Sequence, residues 1–194
     1  NINFGSILVS FFLVQILYCF KLKNLPIIEF FCVASGFIMR SIAGGVASGT
    51  IISPWFLLSV GMLALFLAVE KRKAEILNLK KTKEITRKVI KNYSLELINK
   101  FEAVLTSSTV MTYSLWAYGP LVGGSKSPYM IITIPLVILG IFRYQMLSQI
   151  KQNKTYKKLN INLETPEEIL FKDKPIQIIV FSWLLIILYI GYFT

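Results

Sequence analysis

The sequence predicts an all-α fold, a bundle of helices that crosses a membrane several times. The 194 residues are 55% hydrophobic and only 16% charged, with a mean hydropathy of +0.63, which is more apolar than a soluble domain of that size. Apolar runs near the length that spans a hydrocarbon core, about 20 residues at 1.5 Å rise each, recur along the chain. The basic residues gather in alternate connections between those runs.

In chain order the runs cover 4–20, 26–48, 54–70, 101–121, 129–147 and 175–193, six expected spans of a single membrane domain, 1–194. Six spans alternate in direction, so the connections at 21–25, 71–100 and 143–174 share one face and those at 44–54 and 119–128 share the other. Of 21 Lys and Arg, 19 fall on the first face: Lys21 and Lys23, ten from Lys71 to Lys100, and seven from Arg143 to Lys174. Lys126 alone lies on the second face, and Arg40 lies within a span. By the positive-inside rule the crowded face is cytoplasmic.

The outward connections, Gly44 to Gly49 before Pro54 and Gly119-Pro120 through Gly123-Gly124 to Pro128, are built of small and turn-forming residues and carry no acid. They read as short closures. The inward connections carry both signs, and 71–100 has room for an amphipathic cytoplasmic helix around Glu75 to Lys91. Chemistry with charged substrates belongs on that face.

Several classes are excluded by what the chain lacks. It has no histidine, which removes His-based metal sites and triads, and its two cysteines, Cys19 and Cys32, sit in apolar stretches, which argues against a disulfide framework. A net charge of +11 could suggest nucleic acid, but the cations are interleaved with spans rather than gathered on one soluble face. Residue 1 is Asn and no basic leader precedes the first run, so the sequence reads as part of something larger.

Arg40 lies about 20 Å along its helix from Pro26, at a depth where a cation is expensive, and is expected to face the bundle interior. Small neighbours, Ser35, Gly36, Ser41, Ala43, Gly44 and Gly45, permit a polar pocket beside it. It is either a structural arginine bonded to carbonyls or an anion-facing one. Glu29, at the cytoplasmic start of the same helix, complements the helix dipole or contributes to a Mg²⁺ site. The run Glu70-Lys71-Arg72-Lys73-Ala74-Glu75 either stops membrane transfer or grips phosphate through Lys71 and Arg72. Tyr18 and Lys23, Arg143-Tyr144, and Glu167-Glu168 with Lys172-Asp173-Lys174-Pro175 lie at the same face, as interfacial anchors or as parts of a site. Pro166 and Pro175 each suit the first turn of a helix.

Taken together, Tyr18 to Lys23, Pro26 to Glu29 and Ala34 to Gly45 resemble the UbiA-type prenyltransferase superfamily. Leu63 to Ala68 with Lys71-Arg72 and Glu75, Gly140 to Tyr144, and Thr165 to Glu168 with Asp173 to Pro175 are similar to its decaprenyl-phosphate phosphoribosyltransferase branch. The likeness runs over nearly the whole chain.

The resemblance implies a membrane enzyme of nine helices, of which six are present, with the principal Asp-rich metal motif upstream of residue 1. It implies transfer of 5-phosphoribosyl from phosphoribosyl diphosphate to a polyprenyl phosphate, releasing diphosphate, with Mg²⁺ as cofactor and a product that feeds cell-wall synthesis. The implied substrate-binding residues are Tyr18, Lys23, Arg40, Lys71, Arg72, Glu75, Arg143, Tyr144 and Lys174, with Glu29 as a metal ligand. The implied location is a bacterial plasma membrane with the active site cytoplasmic; the expected partners are the two substrates and membrane lipids, not nucleic acid, and a homo-oligomer is compatible with them.

Two departures bear on the site. Glu29 stands where the branch typically has Asp, and Lys71-Arg72-x-x-Glu75 stands where aromatic prenyltransferases carry a second Asp-rich motif. Replacing carboxylates by cations favours direct phosphate contact. An aromatic acceptor, or a transporter in place of an enzyme, remain the competing readings.

Overall fold

The computed structural model describes residues 2–82, 90, 92–119, 123–150 and 172–193. Among them are six α-helices and no strand, as an all-α fold requires. Helix α1 runs Ile2–Phe20, α2 Ile28–Ser48, α3 Pro54–Thr82, α4 Leu95–Ala117, α5 Ile134–Ile150 and α6 Lys174–Phe193, with 3-10 turns at Leu22–Asn24 and Pro128–Thr133. Among the described residues four stretches are long and apolar enough to cross a membrane by length and composition: Ile28–Ser48, Pro54–Leu77, Pro128–Ser148 and Lys174–Tyr192; Phe4–Phe20 is a shorter apolar helix.

Two elements differ from the expected runs. The run at 54–70 is only the first part of α3, which continues through the charged segment to Thr82. The added residues are Lys, Arg, Ala, Glu and Leu in the main, all strong helix formers, and no Gly or Pro interrupts them. The charges therefore mark where the helix leaves the apolar layer, not where it stops. Of the amphipathic helix expected over Glu75 to Lys91, the first part is this extension of α3, and residues 83–89 and 91 lie outside the described residues. The run at 101–121 becomes α4, which starts at Leu95 and so carries Glu96, Lys100 and Glu102 in its first turns. The segment with Pro166, Glu167 and Glu168 also lies outside the described residues.

The chain divides into two compact units, Asn1–Thr112 and Tyr113–Thr194. In the first, α2 packs along both α1 and α3. Gly61 permits the close approach of α2 and α3, because a Cβ there would stand 3.0 Å from the Ile38 side chain. Gly49 ends α2 with φ 68, the left-handed conformation that glycine adopts without strain, and its N–H closes the helix onto the Gly45 carbonyl. Pro54 then opens α3. Ser94 caps α4, its hydroxyl accepting the Leu97 N–H at 3.1 Å. The core of this unit gathers Phe30, Ala34, Ala64, Leu65, Val69, Ile76, Ile90, Tyr93 and Ile98.

In the second unit Tyr113, Ala117, Met130 and Ile190 form the core, with Trp116 and Trp183 against it. Between apolar helices in lipid the hydrophobic effect supplies little net attraction, so close packing and interhelical hydrogen bonds hold them. The Tyr113 hydroxyl does this twice, sharing a hydrogen bond with Thr133 at 2.6 Å and accepting the Trp183 indole N–H at 2.7 Å.

Asp173 fastens α5 to the start of α6. One carboxylate oxygen accepts the Ile176 N–H at 2.9 Å, capping α6, while Arg143 donates to both oxygens at 3.2 and 2.8 Å. Burial pushes this carboxyl up, but the bonds from Arg143 and the Ile176 N–H, with the charge of Arg143, outweigh it and hold the carboxyl below its ordinary value of 3.8. A depressed carboxylate stabilises the fold above the unfolded value and loses that contribution as pH falls through the folded one. Asp173→Asn is therefore expected to lower the thermal midpoint of the detergent-purified whole protein at pH 7. The gap to wild type should narrow as pH drops below about 4, and a gap independent of pH would show that the carboxylate charge is not what holds α6.

Candidate functional site

The end of the first unit where α2 begins is organised around one guanidinium. Arg72, on the extension of α3, is 6% exposed and donates through one terminal nitrogen to Glu29 and through the other to Glu75. Glu75 is three residues further along the same helix face, and Glu29 lies in the first turn of α2, 2% exposed. A guanidinium keeps its charge and presents a planar fork, so burying it requires anions placed to match that fork.

Lys73, adjacent in sequence but turned away around the helix, forms a second buried ion pair with Glu102 of α4. Alternate charges of the run thus serve different neighbours: Arg72 fastens α3 to α2, Lys73 fastens α3 to α4, and Lys71 is exposed. Lys71 has no ion pair among the described residues. Lys21 and Lys23, beside the short turn before α2, are exposed at the same end.

Tyr93, just before α4, completes the cluster. Its hydroxyl accepts the Ile27 N–H at 2.6 Å, and its ring packs on Phe30 with centroids 5.5 Å apart. Burial raises the Tyr93 pKa; the Ile27 N–H and the Arg72 charge oppose this, and the Glu29 charge adds to it. The hydroxyl is consequently protonated at neutral pH.

The sequence expectations divide on this geometry. Glu29, Arg72 and Glu75 are brought together, but Arg72 is already held by two carboxylates instead of standing open beside Lys71. Arg40 is not part of the cluster: eleven residues of helix, about 16 Å, separate it from Glu29. Contrary to the expectation of an interior position, Arg40 is exposed, its guanidinium lying over the Phe11 and Phe37 rings at 5.2 and 5.4 Å. An arginine can meet its need for a partner on aromatic faces as well as in a polar pocket. It lines a cavity of about 190 Å³ with Gln15, Tyr18, Cys32, Gly36 and Phe37. In the second unit Arg143 is committed to Asp173, Tyr144 is buried and Lys174 is exposed.

Tyr93, Lys73 and Glu102 are the members of this network that sequence reasoning missed. Glu102 carried a usable signal, since an acid inside an apolar run calls for a named partner. Tyr93 carried none, being one tyrosine in a charged connection.

The expected metal role of Glu29 is not supported by its surroundings. Magnesium takes near-octahedral oxygen coordination, whereas Glu29 and Glu75 each give an oxygen to Arg72. Among the described residues no group of three or more His, Cys, Asp or Glu could hold a metal ion. The described residues do not fit a magnesium site.

A helical membrane architecture defines an integral membrane protein, and its first unit carries a buried, charge-paired cluster at one end. The chain belongs to the UbiA prenyltransferase family, whose model matches residues 3–164. Enzymes of that family are generally dependent on a divalent metal.

Among similar proteins is the decaprenyl-phosphate phosphoribosyltransferase of Mycolicibacterium smegmatis, 31% identical over 191 residues, covering 94% of this chain and 56% of that protein. Those of Corynebacterium glutamicum and Mycobacterium tuberculosis are 32% and 30% identical, covering 87% and 94% of this chain and 48% and 56% of their own lengths. The chain spans about half the length of the curated relatives it matches.

The two buried pairs make a testable demand. Lys73→Met strands the Glu102 carboxylate and is expected to destabilise the purified whole protein by about 3–5 kcal/mol. Adding Glu102→Gln should recover much of that loss in the same melting experiment. Additive losses would mean that Lys73 and Glu102 do not depend on each other.

Proposed function

We propose that the whole protein transfers a 5-phosphoribosyl group from phosphoribosyl diphosphate to a polyprenyl phosphate, releasing diphosphate, at the cytoplasmic face of a bacterial plasma membrane. The observation that carries this is the 30–32% identity, over most of the chain, to three bacterial proteins named for that transfer. The orientation rests on the 19 of 21 cations that fall in alternate connections.

In such a transfer the bond from ribose C1 to the diphosphate oxygen breaks, its electron pair leaving with diphosphate, and an oxygen of the acceptor phosphate bonds C1. The transition state carries positive charge on the sugar and growing negative charge on the leaving group, so preorganised cations aimed at the latter lower the barrier. The acceptor phosphate is already anionic and needs no base. Lys71 and Lys23 are the exposed cations suited to phosphate oxygens, and their conformational freedom allows them to follow charge as it moves. Arg72 contributes by fixing α3 against α2, so that Lys71 is presented from a rigid helix. Arg40, about 16 Å along α2 from Glu29 by helix rise, lines a cavity with Tyr18 of α1 that suits an anionic or chain-bearing part of a substrate. Dependence on Mg²⁺ is part of the proposal on the strength of the family's general requirement alone.

Membranes containing the whole protein are expected to convert radiolabelled phosphoribosyl diphosphate and polyprenyl phosphate into a labelled lipid in the presence of Mg²⁺. Lys71→Ala should lower kcat/KM on the order of 10- to 100-fold, the loss of one charge-assisted contact. Absence of a labelled lipid, or prenylation of an aromatic acid by the same membranes, would overturn the reading.

A further inference from the structure

Tyr93 is a buried titratable side chain of the first unit that the proposed reaction does not use. It is 7% exposed and stands where the connection after α3 meets the start of α2. Its hydroxyl accepts the Ile27 N–H there at 2.6 Å, two residues before Glu29.

The Ile27 backbone strengthens the case. Ile27 has φ 67 and ψ −48, and it is the one non-glycine residue with positive φ among the described residues. A β-branched residue avoids that region, and such strain persists only where surrounding contacts fix it. Ile27 follows Pro26 and precedes by two residues the carboxylate that meets Arg72. Its N–H has the Tyr93 hydroxyl as partner, and the Tyr93 ring lies on Phe30, the residue after Glu29. The same side chain therefore holds both the strained turn before Glu29 and the ring after it.

We infer that Tyr93 is a positioning residue for the phosphoribosyl transfer, directing the Glu29 carboxylate onto Arg72 and so fixing the end of α3 that presents Lys71. This rests on the phosphoribosyltransferase reading. The tyrosine does not touch substrate. It orders the cluster before substrate arrives, so its loss is felt where geometry matters most, in the transition state.

The test uses the whole protein reconstituted in nanodiscs, with kcat and KM for phosphoribosyl diphosphate measured per folded molecule. Tyr93→Phe keeps the ring on Phe30 and removes the hydroxyl. Its kcat is expected to fall on the order of 10- to 100-fold, with KM changed by no more than about twofold. A companion protein, Ile27→Gly with Tyr93→Phe, relieves the positive φ without restoring the hydroxyl that fixes the turn and serves where the single variant fails to fold. Its thermal midpoint should return towards wild type while kcat stays low. Wild-type kcat in Tyr93→Phe, an effect confined to KM, or recovery of kcat in the double variant would each overturn the inference while transfer by the wild type still stood. No transfer by the wild type would overturn the phosphoribosyltransferase reading itself and this inference with it.

Discussion

The first unit depends on the burial of a single guanidinium between two carboxylates. Arg72 can sit inside only because α3 continues as a helix past Glu70, which puts Arg72 and Glu75 three residues apart on one face, and because α2 starts where Glu29 can reach across. Each condition is local, but their meeting point is not. If α3 ended with its apolar stretch, Arg72 would lose its helical partner, and if the turn at Ile27 relaxed, Glu29 would be aimed elsewhere. The strained turn, the hydroxyl that holds it and the length of α3 are parts of one electrostatic requirement.

The same physics recurs with different geometry. Lys73 and Glu102 neutralise each other between α3 and α4, and Arg143 and Asp173 do so between α5 and the start of α6, where the carboxylate also caps a helix. Charges taken out of water are destabilising alone and tolerable in pairs, so each pair fixes a particular neighbour and register rather than adding much net stability. Lys21, Lys23 and Lys71 in the first unit and Lys174 in the second are left exposed. Pairing thus separates basic residues that shape the protein from those left at its surface.

Much of the helical plan was legible in the sequence because apolar length is a strong signal and the fold adds little to it. The boundaries were legible only where apolarity and helicity end together. At Glu70 they do not: a charge run reads as the end of a span, yet nothing in Lys71 to Thr82 breaks a helix, and α3 runs on. The site was legible in part for a related reason. Glu29, Arg72 and Glu75 stood out as costly or clustered charges, but whether a cation faces phosphate or a neighbouring carboxylate depends on an angle around the helix axis and on what lies across from it. Arg40 shows the opposite failure, since two phenylalanines are invisible as partners until Phe11 is brought beside Phe37. Tyr93 needed the tertiary fold entirely, because its partner is a backbone N–H 66 residues away.

The central claim is that Arg72 and Glu29 hold α3 to α2 as one coupled pair. A double-mutant cycle with Glu29→Gln and Arg72→Met, read as unfolding free energy of the purified whole protein, tests it directly. The coupling is expected to be about 2 kcal/mol, with the double variant much less destabilised than the sum of the singles. Additivity to within about 0.5 kcal/mol would contradict the account, because it would mean that the two charges do not meet.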